Sequence, residues 1–87
     1  MAQTYKIDIK EEDGDMGFFP AEQSIAAGDT VEWTNQMGFD HTVSADDGSF
    51  DSKLGGGQKF SHTFNSAGSF PYKCRIHPFM TGKITVT

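Results

Sequence analysis

Apolar and polar residues alternate with a period of two along most of the chain, and no segment shows the spacing of an amphipathic helix. Tyr5, Ile7 and Ile9 alternate with charged residues, which predicts a strand with one buried face. Val31 and Trp33 point one way while their polar neighbours point the other. The pattern therefore predicts strands throughout the chain.

Further short strands are predicted on the same grounds, and turns rich in Gly, Asp and Ser separate them. They lie at about residues 23–25, 41–45, 60–64, 70–74 and 83–87. Seven or eight short strands of this kind indicate a compact antiparallel sandwich or barrel, an all-β fold. The 87 residues suit one domain spanning residues 1–87, since the sequence contains no repeat or linker.

The net charge is −5, from twelve acidic residues against seven Lys and Arg. This balance argues against nucleic acid, whose phosphates need a basic surface, and against anionic membrane surfaces. No apolar run approaches the ~20 residues of a membrane helix, so we expect no direct membrane insertion. The single cysteine excludes an internal disulfide.

The segment that carries chemistry runs from Cys74 to Met80, where a thiolate, an imidazole (His77) and a thioether recur every three residues. A second imidazole, His41, lies at the start of another predicted strand. Soft sulfur ligands favour Cu(I), and two His with one Cys and a distant axial Met form the blue-copper arrangement. The sequence therefore predicts one copper ion bound by His41, Cys74, His77 and Met80.

Two other interpretations of these residues stay open. Zinc would need a fourth ligand better than Met, and His62 is available, although the alternation places it between Phe60 and Phe64 on an inner face. A Cys–His nucleophilic pair would need an orienting third group, and the sequence offers no obvious one. The joint spacing with Met80 favours copper.

These motifs together resemble the cupredoxins of the plastocyanin, amicyanin and halocyanin kind, over nearly the whole chain. The short Cys-x-x-His-x-x-Met loop is most similar to that of amicyanin. The other matching segments are residues 19–20, 28–31, 33–35, 41–43, 47–52 and 68–72. The resemblance implies a Greek-key β-sandwich, the same four copper ligands, and one-electron transfer by Cu(II)/Cu(I) without enzymatic turnover.

The sequence departs from that family beside two of the expected ligands. Thr42 stands where plastocyanin and amicyanin have an Asn that ties the two ligand loops together, and its hydroxyl offers part of that connection. Ile76 stands where amicyanin has Pro, so its N–H is available as a second donor to the Cys74 sulfur. On that hypothesis, Ile76→Pro lowers the reduction potential.

The resemblance also implies a partner surface, because the loop His of such proteins exposes its ring edge within an apolar patch. The expected patch comprises His77, Pro78, Phe79, Met37 and Phe39. Asp46, Asp47 and Asp51 are candidates for an acidic rim around it. We expect a monomer that meets its redox partners briefly through this small surface.

The expected location is extracytoplasmic, in the periplasm or at the cell surface, with the export signal absent from this sequence; the cytoplasm is the alternative. The main competing function is copper binding or delivery without electron transfer, which requires an exchangeable, exposed metal. A catalytic copper domain would need further His ligands, and only His62 remains.

Overall fold

The computed structural model describes residues 2–87, which form nine β-strands in two sheets. The strands are β1 (Thr4–Glu12), β2 (Asp15–Phe19), β3 (Glu22–Ile25), β4 (Asp29–Asn35), β5 (His41–Ala45), β6 (Asp51–Leu54), β7 (Lys59–Phe64), β8 (Gly68–Lys73) and β9 (Thr81–Val86). The all-β prediction is confirmed, with β2 and β6 added to the strands read from the sequence. Within residues 2–87 no helix is long and apolar enough to span a membrane.

The strands are arranged as β2-β1-β4-β7 in sheet one and β3-β9-β8-β5-β6 in sheet two. Most neighbours are antiparallel, but β1 pairs with β4, and β3 with β9, in parallel. The antiparallel prediction is wrong for these two pairs. After β2 the chain passes to sheet two as β3 and then returns as β4, which lies beside β1 in the same direction.

The β1–β2 hairpin reaches beyond the neighbouring strand β4. Asp13 and Gly14 both have positive φ, of 53° and 85°, as the two-residue turn that matches strand twist requires. Ile9 is paired with Asn35 at the end of β4, and the Ile9 carbonyl accepts a hydrogen bond from the Gln36 N–H at 2.9 Å. The rest of β1 therefore projects at the end of the molecule where residues 36–40 lead to His41.

Aromatic side chains fill much of the core between the sheets. Trp33, Tyr72 and Phe18 are almost completely buried, and the Tyr72 ring lies 5.4 Å from Trp33 and 4.7 Å from Phe18 between centroids. Tyr72 on β8 is paired with Gly82 on β9. A Cβ atom at position 82 would lie 2.4 Å from the Tyr72 Cζ atom, so only glycine leaves room for the buried ring.

Candidate metal centre

Two chain segments bring the predicted ligands together at one end of the sandwich. His41 is the first residue of β5 and Cys74 directly follows β8, and both are fully buried. The Cys74 N–H donates to the Met80 carbonyl at 3.0 Å, and the Met80 N–H donates to the His77 carbonyl at 2.9 Å. These bonds close residues 74–80 into a compact loop, with His77 half-buried and Met80 buried at its base.

The buried amide of Asn35 holds the segment that precedes His41. Its Nδ2 group donates to the carbonyls of Phe39 and Leu54, and its Oδ1 atom accepts from the Met37 N–H. Because Leu54 is paired with His41 across β5 and β6, the amide fixes the start of β5 as well as the loop. The sequence analysis gave Asn35 no such role, although a polar residue on the buried face of a strand is the signal that identifies it.

The two imidazoles approach the thiol through the same ring atom. The His41 Nδ1 and His77 Nδ1 atoms each lie 3.7 Å from the Cys74 Sγ atom, and the three donor atoms lie within 4.8 Å of one another. Typical metal–sulfur and metal–nitrogen bonds of about 2.3 and 2.05 Å, at angles between tetrahedral and trigonal, place S and N about 3.6–3.8 Å apart. The separations therefore fit one shared metal ion.

The environment of His41 also fits a metal ligand. The ring is buried and its Nδ1 atom faces the sulfur, while the Nε2 atom on the far side of the ring has no hydrogen-bond partner within residues 2–87. Burial lowers the pKa of His41 below its usual 6.5, and the neighbouring His77 adds to this effect while Asp40 opposes it. The neutral imidazole favoured by these effects is the form that binds a metal.

Thr42 makes two hydrogen bonds that join the ligand segments. Its N–H donates to the Cys74 Sγ atom at 3.3 Å, and its Oγ1 atom accepts from the Arg75 N–H at 2.7 Å. The hydroxyl thus makes the connection expected at this position. The hypothesis for Ile76 is wrong in this geometry, because within the described chain Thr42 is the sole backbone donor to the sulfur. Without that second donor, the expected reason for a lower potential in Ile76→Pro is removed.

Exposed apolar side chains surround His77. Phe39 is 49% exposed and Phe79 is 67% exposed, and their ring centroids lie 5.8 and 6.2 Å from that of His77. Pro78 is exposed and Met37 is half-buried. Ile76, 47% exposed, adds an apolar side chain that the sequence analysis left out of the patch.

His62 lies apart from the sulfur and the two converging imidazoles. Its ring centroid is 4.7 Å from that of Phe64 and 5.0 Å from that of Phe50, on the inner face that the alternation predicted. Burial among these rings lowers its pKa. The arrangement leaves the zinc interpretation without its proposed fourth ligand.

The three aspartates of the expected acidic rim are placed differently from one another. Asp46 and Asp47 follow Ala45, the last residue of β5, which lies four residues and about 13 Å along the extended strand from His41. Asp51 forms an ion pair with Arg75, directly after Cys74. Only Asp51 is therefore connected to the residues around the thiol.

The family described as copper-binding proteins of the plastocyanin/azurin type matches residues 5–87. The chain belongs to this family. Copper is its metal, and the convergence of His41, Cys74 and His77 in a cupredoxin sandwich is consistent with a type 1 copper site. The resemblance to cupredoxins drawn from the sequence is thereby confirmed.

This cupredoxin is 36% identical over 77 residues to amicyanin from Paracoccus versutus, an alignment that covers 82% of the chain and 58% of the relative. Among solved structures, the purple cupredoxin of Nitrosopumilus maritimus matches with a TM-score of 0.85 and 30% identity over 95% of the chain and 99% of the other. A copper-containing nitrite reductase from Thermus scotoductus SA-01 matches with a TM-score of 0.83 and 30% identity over 95% of the chain and 22% of the enzyme. The chain spans 54–65% of the length of the first three curated relatives.

Proposed function

We propose that this cupredoxin carries single electrons between protein partners, with one copper ion held by His41, Cys74, His77 and Met80. The observation that supports this most strongly is the approach of two imidazole Nδ1 atoms to within 3.7 Å of one buried thiol sulfur. Bound copper supplies the Cu(II)/Cu(I) couple, for which this mixture of soft sulfur and imidazole ligands is suited.

The protein's contribution is to hold these side chains and exclude water. His41 and Cys74 are fully buried, and the Asn35 amide and the Thr42 bonds fix the segments that carry them. A site held in one geometry changes little when an electron arrives or leaves. The His77 ring lies between this buried cluster and the solvent, so it is the proposed route for the electron.

The apolar patch around His77 is the proposed docking surface for transient redox partners. It comprises Met37, Phe39, His77, Pro78 and Phe79, to which the exposure of Ile76 adds a sixth member. A patch of this size supports a small interface, and small interfaces are typical of redox encounters that must separate quickly.

The decisive experiment is titration of the reduced, metal-free protein with Cu(II), followed by visible and electron paramagnetic resonance spectroscopy. We expect an intense thiolate-to-copper band that disappears on reduction, returns on oxidation, and is lost in Cys74→Ser. His41→Ala and His77→Ala should abolish or strongly alter it, and Met80→Leu should retain it with a raised potential. Folded protein without the band would refute the proposed site.

Copper delivery is distinguished from electron transfer by what happens on reduction. The burial of Cys74 and His41 favours retention of the metal. We expect copper to stay bound through repeated redox cycles in the presence of a competing Cu(I) chelator. Loss of copper to the chelator at each reduction would favour delivery instead.

The remaining assignments are part of the same proposal. Residues 1–87 form a single, monomeric domain without enzymatic activity of its own, located outside the cytoplasm. The likeness to part of a nitrite reductase makes an enzyme assay the relevant check, and we expect no nitrite reduction by the copper-loaded chain alone. Light scattering should give the monomer mass, and fractionation of the source cells should locate the protein.

A further inference from the structure

A chain of polar contacts connects the Cys74 segment to the protein surface. The Arg75 N–H donates to the Thr42 Oγ1 atom at 2.7 Å, and the Ser44 Oγ atom lies 3.1 Å from that same oxygen. The Ser44 Oγ atom also lies 2.7 Å from the Asp51 Oδ1 atom and accepts from the Arg75 Nε–H at 3.2 Å. The Arg75 guanidinium pairs in turn with the other carboxylate oxygen of Asp51.

Ser44 is the donor at the centre of these contacts. Its hydroxyl donates to the Asp51 Oδ1 atom at 2.7 Å and, over a longer contact of 3.1 Å, to the Thr42 Oγ1 atom. The Thr42 oxygen accepts from Ser44 and from the Arg75 N–H. Each bond polarises the next, so the Asp51 carboxylate is connected to Thr42 through Ser44.

The buried residues of this network, Thr42 and Ser44, depend on the exposed residues Arg75 and Asp51 for hydrogen bonds. Thr42 and Ser44 are 6% and 5% exposed, whereas the side chains of Arg75 and Asp51 are 60% and 47% exposed. A shallow cleft lined by Ser44, Asp51 and Arg75 opens over these contacts. Because a buried hydroxyl must keep its partners, the exposed ion pair holds the Ser44 hydroxyl, which in turn donates to the Thr42 Oγ1 atom.

We propose that Arg75 and Asp51 are positioning residues of the metal centre, which act on Cys74 through Ser44 and Thr42. The Thr42 residue held by this pair is the one whose N–H donates to the Cys74 sulfur. Hydrogen bonds to the sulfur of such a site tune its reduction potential. The inference rests on the proposed function, since Cys74 must be a copper ligand for the potential to respond.

The first test uses metal-free protein and hydrogen exchange of the Thr42 and Arg75 amides measured by NMR. The variants are Asp51→Asn and Ser44→Ala, and the matched control is Asp47→Asn, an exposed acid of the turn between β5 and β6 whose carboxylate accepts from the Ser49 N–H. We expect exchange about fivefold faster in the two variants, the equivalent of one ordinary hydrogen bond, and no change in the control. Equal exchange in all three proteins would overturn the proposal.

The second test uses the copper-loaded proteins. Asp51→Asn and Asp47→Asn remove the same charge. We therefore expect Asp51→Asn to shift the thiolate band, the copper hyperfine splitting and the reduction potential by more than Asp47→Asn does. Arg75→Lys keeps the charge but loses the two-pronged contact, and it should reproduce the shift. Spectra and potentials equal to the control, despite faster exchange, would reduce the network to a contact that only stabilises the fold. Wild-type protein without a thiolate band would refute the copper site itself, whatever the exchange rates.

Discussion

Gly82 is the position where a single methyl group should disturb this fold most clearly. In Gly82→Ala the new Cβ atom would lie 2.4 Å from the Tyr72 Cζ atom and 2.5 Å from the Tyr72 Oη atom, where ordinary contacts begin at 3.4 Å. The ring would have to withdraw by about 1 Å, the difference between 3.4 and 2.4 Å. Phe18 and Trp33 pack against the ring at 4.7 and 5.4 Å, so it has no free space to enter.

Overpacking of this kind costs about 1–3 kcal/mol, and the closeness of the contact places Gly82→Ala near the upper value. In a domain of this size we expect Tm to fall by about 10–20 °C, measured by calorimetry on the metal-free protein. Gly38→Ala is the control, because its Cβ atom would meet nothing within 4 Å. Tyr72→Leu should remove most of the effect of Gly82→Ala in a double-mutant cycle. Equal melting temperatures for Gly82→Ala and Gly38→Ala would refute the reasoning.

Three further changes test other parts of the structure. Because burial lowers the pKa of His62, the unfolded chain binds a proton there more readily than the folded chain does. The free energy of unfolding therefore falls as the pH drops below 6.5. His62→Gln should flatten this pH dependence in denaturant melts of metal-free protein. An unchanged pH dependence of the unfolding free energy in His62→Gln would indicate that the His62 ring is exposed to solvent. The Asp29 carboxylate accepts hydrogen bonds from the Gln3 and Ala26 N–H groups, which lowers its pKa. The ionised carboxylate therefore stabilises the fold above pH 3.8, and this stabilisation is lost as the pH falls further. Asp29→Asn should be less stable at pH 7 and less sensitive to acid. Equal stability of the two proteins at pH 7 would contradict this. Phe79→Asp should slow electron self-exchange, measured by NMR line broadening, by at least about tenfold without altering the spectrum, and an unchanged rate would place docking elsewhere.

The sequence predicted those parts of the molecule that depend on local patterns. Alternation identified β1, β4 and β7, and the three-residue spacing after Cys74 identified the loop that closes through Met80. β6 was missed because its four residues include a single buried apolar side chain, Leu54, which leaves no alternation to detect. β2 was missed because its five residues include Gly17 and show no regular period.

The parallel pairing and the polar network depend on contacts between residues that are distant in sequence. Nothing near Ile9 indicates that Asn35 will lie beside it, since the order of strands follows from where the chain changes sheets. Arg75 and Asp51 likewise appear as ordinary surface charges, and only the fold places them beside the hydroxyl of Ser44. The hydrogen bond expected from Ile76 was wrong for the same reason, because loop geometry rather than residue type decides which amides reach the sulfur.

The projecting β1–β2 hairpin has an electrostatic consequence for the site. Its outer part carries Glu11, Glu12, Asp13 and Asp15, four of the twelve acidic residues of the chain, and Lys10 as its single cation. Because β1 runs parallel to β4, these carboxylates stand at the same end of the sandwich as the converging imidazoles and thiol. A negative field there stabilises the more positive of two oxidation states and weakens as salt shortens its range to about 8–10 Å. The direction of one strand thus adds a negative contribution to the electrostatic potential at the end of the sandwich that holds these residues.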